Sequence, residues 1–406
     1  MTAGTNPGTD AQDYGSLNLI SYFLFAVGPL VGNAVLVLLG AVSSDFMTDP
    51  TAVLIAIPAF MFPFAFIQLF SGALSDIYGR VPVILGGLVG FALGLFVTAY
   101  STSLLLFLLG NFVCGVGFGF VNPVLLALLS DSAAPEDIPK RMGIAAALAS
   151  LSVGLGPFIA GQMIILGWQS YYLMFLVIVV LSSIALLVVK RPARVMHNNS
   201  GLRILVKNMR LEFKKRSVLM ILVATFLLSL SYLGVLIWAS RGLTGVFNES
   251  IIGFLLLGGG VSGAVAGSLI GVLIRKYGYG VPTGFAFIVL FAGLAAFIMV
   301  GDITNASSVV LILVGLVAAA WAGGLLFPMM ITYSQVISPE HRGVLAGIVT
   351  FAYFLGDALI PIVYQPFFVI GLNWVFIAIL GDSILLLVVL VSLNRMLSSH
   401  SPMRSA

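Results

Sequence analysis

The sequence predicts an all-α membrane protein whose twelve transmembrane helices form two pseudo-symmetric six-helix bundles. Three observations lead to this fold: an apolar composition, twelve long apolar stretches and an internal duplication. Of the 406 residues, 60% are hydrophobic and only 8% are Asp, Glu, Lys or Arg, whereas a soluble chain carries roughly 25% charged residues. No set of soluble cores could bury so much apolar surface. Composition therefore excludes a soluble enzyme and a nucleic-acid-binding protein.

Twelve stretches reach the roughly 20 apolar residues that a spanning helix requires. The predicted spans are 17–42, 52–74, 82–100, 103–130, 142–166, 168–189, 217–240, 250–274, 281–301, 307–336, 343–370 and 372–394. The corresponding domains are an N-terminal tail (1–16), a first bundle (17–189), a basic linker (190–216), a second bundle (217–394) and a C-terminal tail (395–406).

The basic residues predict the orientation. With a cytoplasmic N-terminus, every Lys and Arg except Arg241 falls in a cytoplasmic loop, the linker or the C-terminal tail. Because cationic loops are retained on the cytoplasmic side, both termini are expected there, in the plasma or inner membrane. The net charge of +4 thus reflects topology, and no nucleic-acid partner is expected.

The linker is the one sizeable segment outside the spans. Its apolar residues Ile204, Leu205, Met209 and Phe213 recur at near-helical spacing among basic residues. This pattern predicts an amphipathic helix on the inner surface of the membrane.

The two halves of the chain repeat each other weakly. Gly72-Ala-Leu-Ser-Asp-Ile-Tyr-Gly-Arg-Val-Pro82 follows span two, and Gly271-Val-Leu-Ile-Arg-Lys-Tyr-Gly-Tyr-Gly-Val-Pro282 follows span eight. A second echo, Ser130 to Gly143 against Ser334 to Gly343, follows spans four and ten. Such duplication is typical of two-lobed transporters.

The motif Gly72-x-Leu74-x-Asp76-x-x-Gly79-Arg80 resembles the signature between spans two and three of the major facilitator superfamily. The twelve spans, the duplication and the linker extend that resemblance over nearly the whole chain. Chemically, Gly72 allows close helix packing, Gly79 suits a tight turn, and Asp76 suits a neighbouring helix N-terminus. Asp131 is the expected partner of Arg80. The resemblance implies that Gly72, Asp76, Gly79, Arg80 and Asp131 form a gate that holds the halves together, whereas an ordinary surface ion pair would be worth little.

Span five reads Gly143-x8-Ser152-x3-Gly156-Pro157-x2-Ala160-Gly161. This motif resembles that of the drug:proton antiporter subfamily with twelve spans, although Ser152 and Ala160 replace two glycines. The resemblance implies export, while the small residues and Pro157 alone require only tight packing and a bend.

Span four departs from that subfamily. In those antiporters, span four usually contains an Arg, two variable residues, a Gln and a Gly. At the same spacing, this chain has Asn111-Phe-Val-Cys114-Gly115. In the family the missing Arg is linked to proton coupling, so that scheme is not transferable to this chain.

Two acids lie well inside the spans, Asp357 in span eleven and Asp382 in span twelve. At about 1.5 Å per residue, Asp357 lies roughly 20 Å from the inner end of its helix and Asp382 roughly 15 Å from the outer end. No Lys, Arg or His lies within a span to pair with them. Ionisable groups in the membrane mark function, so both are candidates for proton coupling, Asp357 before Asp382. The alternative for Asp357 is a protonated side chain hydrogen-bonded to a neighbouring helix.

Polar and aromatic side chains on the expected cavity-lining helices are candidates for binding a small-molecule substrate. They suit a lipophilic ligand or a cation, although each alone is compatible with packing or interfacial anchoring. These residues are Asn33, Asn111, Asn122, Gln162, Tyr232, Trp238, Trp321, Tyr333 and Tyr353.

Other chemistries have no support in the sequence. There is no nucleotide-binding loop, no His or Cys cluster for a metal and no plausible catalytic triad. We therefore expect neither an enzyme nor a cofactor.

The leading hypothesis is a monomeric secondary transporter in the lipid bilayer that exports a lipophilic or cationic compound in exchange for protons. One alternative is uptake of a small neutral nutrient, by proton symport or uniport. Another is a membrane sensor or assembly partner that does not transport.

Overall fold

The computed structural model describes residues 14–134, 137–189, 202–300, 306–338 and 341–400. These residues form fourteen α-helices and one short 3-10 helix, Ile164–Leu166. The helices are α1 (Gly15–Asp45), α2 (Pro50–Val53), α3 (Ala56–Tyr78), α4 (Arg80–Ala99), α5 (Leu104–Asp131), α6 (Ile138–Met163), α7 (Gln169–Val188), α8 (Leu202–Glu212), α9 (Arg216–Leu243), α10 (Glu249–Tyr277), α11 (Gly280–Ile298), α12 (Ala306–Ile337), α13 (Arg342–Ile370) and α14 (Leu372–His400).

Twelve segments of the described chain are long and apolar enough to cross a membrane, with α2 and α3 forming one of them and α8 excluded. The predicted fold class of an all-α membrane protein is thereby confirmed. The last span exceeds its predicted length, because α14 continues to His400.

The spans define two faces of the molecule. We call the face at which α3 ends and α4 begins with Arg80 the basic face, and the face at which α9 ends the Arg241 face. Odd-numbered spans run from the basic face to the Arg241 face, and even-numbered spans run back.

The repeated loops share a backbone feature. Gly79, between α3 and α4, has φ of 99°, and Gly278, between α10 and α11, has φ of 69°. Residues with a side chain are strained at positive φ, whereas glycine adopts such angles freely. Both copies of the repeat therefore use glycine to reverse the chain on the basic face.

The first helix of each bundle occupies the centre of the molecule. In both α1 and α9, 78% of the most apolar window is buried, compared with 28% in α7 and 33% in α14. The repeat-related helices α1 and α9 thus form the middle of the fold.

The linker helix α8 occupies part of the predicted linker, whose residues 190–201 lie outside the described chain. It packs against α3 of the first bundle and α13 of the second. Leu205 and Met209 are half-buried, whereas Phe213 is exposed. Part of the apolar side of the amphipathic helix therefore faces the protein. The side chain of Ile204 lies outside the described residues.

Candidate functional site

Asp357 lies midway along α13, between the two faces. Its side chain is buried, with 5% of the residue exposed. Among the described residues, no hydrogen bond or ion pair reaches its carboxyl group. The side chains of Tyr232 and Tyr353 are close enough to interact electrostatically with it. Asp357 thus faces neither the acyl chains nor a fixed counter-charge.

Aromatic rings surround the turn of α13 that precedes Asp357. The ring centroid of Tyr353 lies 4.4 Å from that of Phe327 on α12, and Phe354 lies 4.7 Å from Phe64 on α3. Phe64 also stacks on Phe118 of α5 at 5.8 Å. We call Phe64, Phe118, Phe327, Tyr353 and Phe354 the aromatic cluster. It joins the two bundles beside Asp357.

The polar residues of the first bundle bond mainly to their own helices. Asn33 Nδ2 donates to the carbonyl of Pro29 at 2.8 Å, and Asn111 Nδ2 donates to the carbonyl of Phe107 at 2.9 Å. Asn111 is buried and Asn122 is half-buried. The amide groups of Asn33 and Asn111 are thus held by the preceding helical turn.

The other predicted cavity residues lie at different depths. Gln162 is exposed near the Arg241 face, where its Oε1 accepts a 3.0 Å hydrogen bond from Ser250. Trp238 is fully buried five residues before the end of α9, and Tyr333 lies near the basic face with its ring 5.1 Å from Tyr279. Trp321 is half-buried midway along α12, and its Nε1 has no hydrogen-bond partner in the described structure. Of the predicted residues on the second bundle, Tyr232, Tyr353 and Trp321 therefore lie at the depth of Asp357.

Arg80 brings together the charged residues of the first repeated motif. Its Nη1 donates to Asp76 Oδ1 at 2.5 Å and to Ser75 Oγ at 2.6 Å, and its Nε donates to Asp131 Oδ2 at 2.9 Å. The structure has Arg80 paired with Asp131, as the sequence leads us to expect. Asp76 contacts Arg80, within its own bundle.

Glycines at the basic face have open space around them. A Cβ atom added at Gly72, Gly143, Gly271 or Gly343 would meet no atom within 4 Å. These four glycines belong to α3, α6, α10 and α13, the helices through which the bundles meet. The close packing expected at Gly72 is absent in this conformation.

The span-five motif lies where α6 approaches α1 and α10. A Cβ on Gly156 would come within 2.3 Å of the carbonyl oxygen of Leu30, and one on Gly161 within 2.4 Å of that of Glu249. Ser152 donates to the carbonyl of Leu148 in its own helix at 2.7 Å. From Gly156 to Gly161, small residues therefore allow helix contact toward the Arg241 face.

A close crossing between the bundles was not predicted from the sequence. A Cβ on Gly154 would lie 2.8 Å from Gly260 Cα, and one on Gly260 would lie 2.7 Å from Gly154 Cα. Gly154 lies between two motif positions, and Gly260 ends the run Gly258-Gly259-Gly260. That run in an apolar helix was the available signal.

Two adjacent residues on α9 make further contacts with the first bundle near the Arg241 face. Ser240 donates a hydrogen bond to the carbonyl of Leu36 in α1. Arg241 donates from Nε to Thr51 Oγ1 at 2.9 Å, and its guanidinium lies 4.9 Å from the ring centroid of Phe368. Arg241 Nη2 also lies 3.5 Å from Asp49 Oδ1. The bundles are therefore joined near the Arg241 face.

Hydrogen bonding to Thr51 lowers the pKa of Asp49 below its ordinary value, and the charge of Arg241 adds to this effect. Asp49 is therefore an anion at neutral pH. Beside this contact lies an open groove of about 660 Å³ that includes Ile55 and Gln365 in its lining.

Asp382 has a partner inside its own bundle. Tyr364 of α13 donates from its hydroxyl to Asp382 Oδ2 at 2.5 Å. Tyr364 is fully buried and Asp382 is half-buried. Asp382 thus ties α14 to α13, whereas Asp357 has no comparable bond. No group of three or more His, Cys, Asp or Glu in the described residues could hold a metal ion.

The chain is similar to known membrane transporters. The family model described as Major Facilitator Superfamily matches residues 18–361. The uncharacterized MFS-type transporter YceJ of Bacillus subtilis is 29% identical over 75% of this chain and 76% of its own length.

Two relatives with more specific names match shorter regions. The methylenomycin A resistance protein of Bacillus subtilis is 28% identical over 41% of this chain and 37% of its own length. The multidrug resistance protein MdtL of Citrobacter koseri is 29% identical over 43% of this chain and 46% of its own. The chain thus matches less than half the length of either resistance protein.

The fold is also that of a solved transporter. A crystal structure of a mutant of the nucleoside transporter NupG superposes with a TM-score of 0.76, at 13% identity, over 93% of this chain and 99% of that one.

Proposed function

The chain belongs to the major facilitator superfamily, and we propose that it exports a lipophilic or cationic small molecule in exchange for protons. It is a multi-pass membrane transporter, and its family is one of transporters rather than enzymes. The proposed mechanism is alternating access, in which two bundles rock around a site in the middle of the membrane.

The unpaired carboxyl group of Asp357 is the observation that carries this proposal. Burying a charge without a partner is costly, so such a group takes up a proton or binds a cation. Asp357 is buried, lies midway along α13 and has no cationic partner among the described residues. It can therefore alternate between carrying a proton and balancing a cationic substrate.

The aromatic cluster supports the proposed substrate class. Ring faces attract cations and bury lipophilic groups. Tyr353 and Phe354 present such rings one helical turn from Asp357. We propose that Asp357, Tyr232, Tyr353 and Trp321 contact the substrate, with Asn33, Asn111 and Asn122 on the opposite bundle.

The contacts between the bundles support a transport cycle. We propose that the basic face is cytoplasmic and that the described conformation opens toward it, since α6 and α10 meet at Gly154 but leave Gly143 and Gly271 free. In the opposite conformation, the helices around Gly72 and Asp76 would close over the basic face. We also propose that the transporter works as a monomer in the plasma membrane.

Export is favoured over uptake by two of the relatives. One of them is named for resistance to methylenomycin A and the other, MdtL, for multidrug resistance, at modest identity. The span-five motif, with Gly156 at the contact between α6 and α1 and Pro157 at the contact between α6 and α10, points the same way. The likeness to NupG concerns the fold alone.

Uptake of a small neutral solute is the second candidate, and Asn111 favours it. This residue occupies the position of the arginine linked to proton coupling in the antiporters, and its amide group bonds to Phe107 of its own helix. A site without that cation suits an uncharged solute.

Counterflow in proteoliposomes, with and without an imposed pH gradient, tests the proposal. We expect a proton gradient to drive a lipophilic cation against its own gradient, and Asp357→Asn to abolish this response. Asp382→Asn is the matched control, because its carboxyl group is already hydrogen-bonded to Tyr364. Unchanged pH dependence in Asp357→Asn would exclude Asp357 as the proton site. Movement of a neutral solute alone would favour uptake.

A further inference from the structure

Four cations follow one line along α8 and the turn after it. Arg203, Lys207, Arg210 and Lys214 are spaced four, three and four residues apart, which places them on one side of a helix. All four side chains are exposed. None has a hydrogen bond or ion pair within the described part of the chain. We call these four residues the basic stripe.

The opposite side of α8 is fixed to the transporter. Leu205, Asn208 and Met209 are half-buried and Glu212 is fully buried, where α8 packs against α3 and α13. The basic stripe therefore points away from the protein. This explains why its cations lack protein partners.

A buried carboxylate secures the end of the helix. Glu212 Oε1 accepts hydrogen bonds from Lys215 Nζ and Ser338 Oγ, each at 2.8 Å, and lies 2.8 Å from His341 Nδ1. Ser338 follows α12 and His341 precedes α13. The position of α8 is thus coupled to two spans of the second bundle.

Exposed apolar side chains flank the basic stripe. Val206 is 50% exposed and Phe213 40% exposed, on the same side of the helix, and Leu211 is 45% exposed on the other side. Because α8 lies at the ends of the spans, this level corresponds to the boundary between lipid headgroups and acyl chains. Apolar residues there enter the lipid, while Lys and Arg extend toward the phosphates.

We propose that the basic stripe binds the headgroups of anionic phospholipids, with Val206 and Phe213 inserted beside them. Charge complementarity favours this occupant, because four unpaired cations lie at the membrane surface. The bound lipid steadies α8 and, through Glu212, the ends of α12 and α13. The inference requires only the membrane setting of the chain and is independent of the direction of transport or its coupling ion.

The test uses the purified full-length protein in micelles that contain phosphatidylcholine, to which phosphatidylglycerol is added. We expect phosphatidylglycerol to be retained and to raise the melting temperature, and both effects to weaken as salt is added. Lys207→Gln with Arg210→Gln should reduce the affinity about 30-fold, since each cation near a membrane surface contributes about fivefold.

Arg275→Gln with Lys276→Gln is the matched control, because it removes two exposed cations from the same face outside α8. It should leave the effect of phosphatidylglycerol intact. Equal losses in the two double variants, or equal stabilisation by added phosphatidylcholine, would overturn the proposal.

A second comparison separates lipid from an acidic protein partner. Val206→Ser with Phe213→Ser should weaken binding of phosphatidylglycerol, because both side chains enter the bilayer. An acidic protein partner would instead give tight binding of soluble polyglutamate that the double variant leaves unchanged, together with no binding of phosphatidylglycerol. That combination would reject the lipid proposal.

Discussion

Arg241 donates a hydrogen bond from Nε to Thr51 Oγ1 at 2.9 Å, and this bond joins the end of α9 to the start of α2. The two residues belong to different bundles. Arg241 is also the only basic residue that the predicted topology places outside the cytoplasmic side. Its side chain is 15% exposed, so the bond is partly shielded from water. A single arginine therefore contributes to holding the bundles together near the Arg241 face.

Replacing Arg241 with Gln should favour the conformation that opens at this face. Loss of one such hydrogen bond costs about 1 kcal/mol, which corresponds to about a fivefold shift between the two conformations. The shift is measurable with a cysteine at Leu36, a residue that is 2% exposed beside Ser240, in a Cys114→Ser background. An impermeant thiol reagent should label Arg241→Gln about fivefold faster. Arg275→Gln, on the basic face, is the control, and faster labelling in that variant also would contradict the prediction.

Gly154 and Gly143 should have opposite effects on the same equilibrium. Val at Gly154 would collide with Gly260 of α10, and overpacking costs about 1–3 kcal/mol. We therefore expect Gly154→Val to increase labelling of the Leu36 cysteine. Gly143 has open space here, so Val is tolerated in this conformation but penalised when the basic face closes. Gly143→Val should decrease labelling, and equal effects of the two variants would refute alternating access between these helices.

The sequence was sufficient to predict the helical bundles but not all contacts between them. Hydrophobic length and the repeated motif around Asp76 depend on local residue types, which a single sequence displays directly. The partner of Arg80 was also predictable, since Asp131 is the acid at the end of a neighbouring span. The depth of Gln162 was harder to judge, because its position depends on where α6 meets Ser250 of α10.

Contacts between distant segments left weaker signals. Glu212 looks like one acid in a basic linker, yet Ser338 and His341 approach it from a segment more than a hundred residues away. Gly154 is likewise inconspicuous in a helix with many small residues. Such pairings depend on how whole helices are placed, which neither periodicity nor composition determines.

Tyr364 and Asp382 should contribute to stability rather than to coupling. Their 2.5 Å hydrogen bond joins two helices of one bundle. Tyr364→Phe removes the donor, and Asp382→Asn replaces the carboxylate with a weaker, uncharged acceptor. We expect both variants to unfold at lower temperature while keeping the pH dependence of transport. Loss of that dependence in Asp382→Asn, with normal stability, would assign a proton-coupling role to Asp382.

Asp76→Asn should slow transport sharply without preventing membrane insertion. The carboxylate of Asp76 bonds to Arg80 in the described conformation, and closure of the basic face would bring it toward α13. Initial transport rates and the amount of inserted protein should be compared with those of Asp137→Asn, an exposed acid on the same face. Full transport by Asp76→Asn would remove Asp76 from the gate.

Glu212 should make the attachment of α8 depend on pH. Burial favours the neutral acid, but hydrogen bonds from Lys215, His341 and Ser338 outweigh it and hold the pKa of Glu212 below its ordinary value. Because the pKa is lower in the folded protein, this carboxylate stabilises the fold above the unfolded pKa of about 4.3. The contribution is lost as the pH falls through the lower folded value.

Glu212→Gln should therefore reduce the free energy of unfolding at neutral pH but have little effect in strong acid. We expect about 1 kcal/mol rather than the 3–5 kcal/mol of a fully buried pair, because the Lys215 side chain is 44% exposed and screened by water. Unfolding of the wild type, Glu212→Gln and the control Asp137→Asn should be followed from acid to neutral pH. A deficit in Glu212→Gln that stays constant down to strong acid would show that packing, rather than ionisation, holds α8 against the transporter.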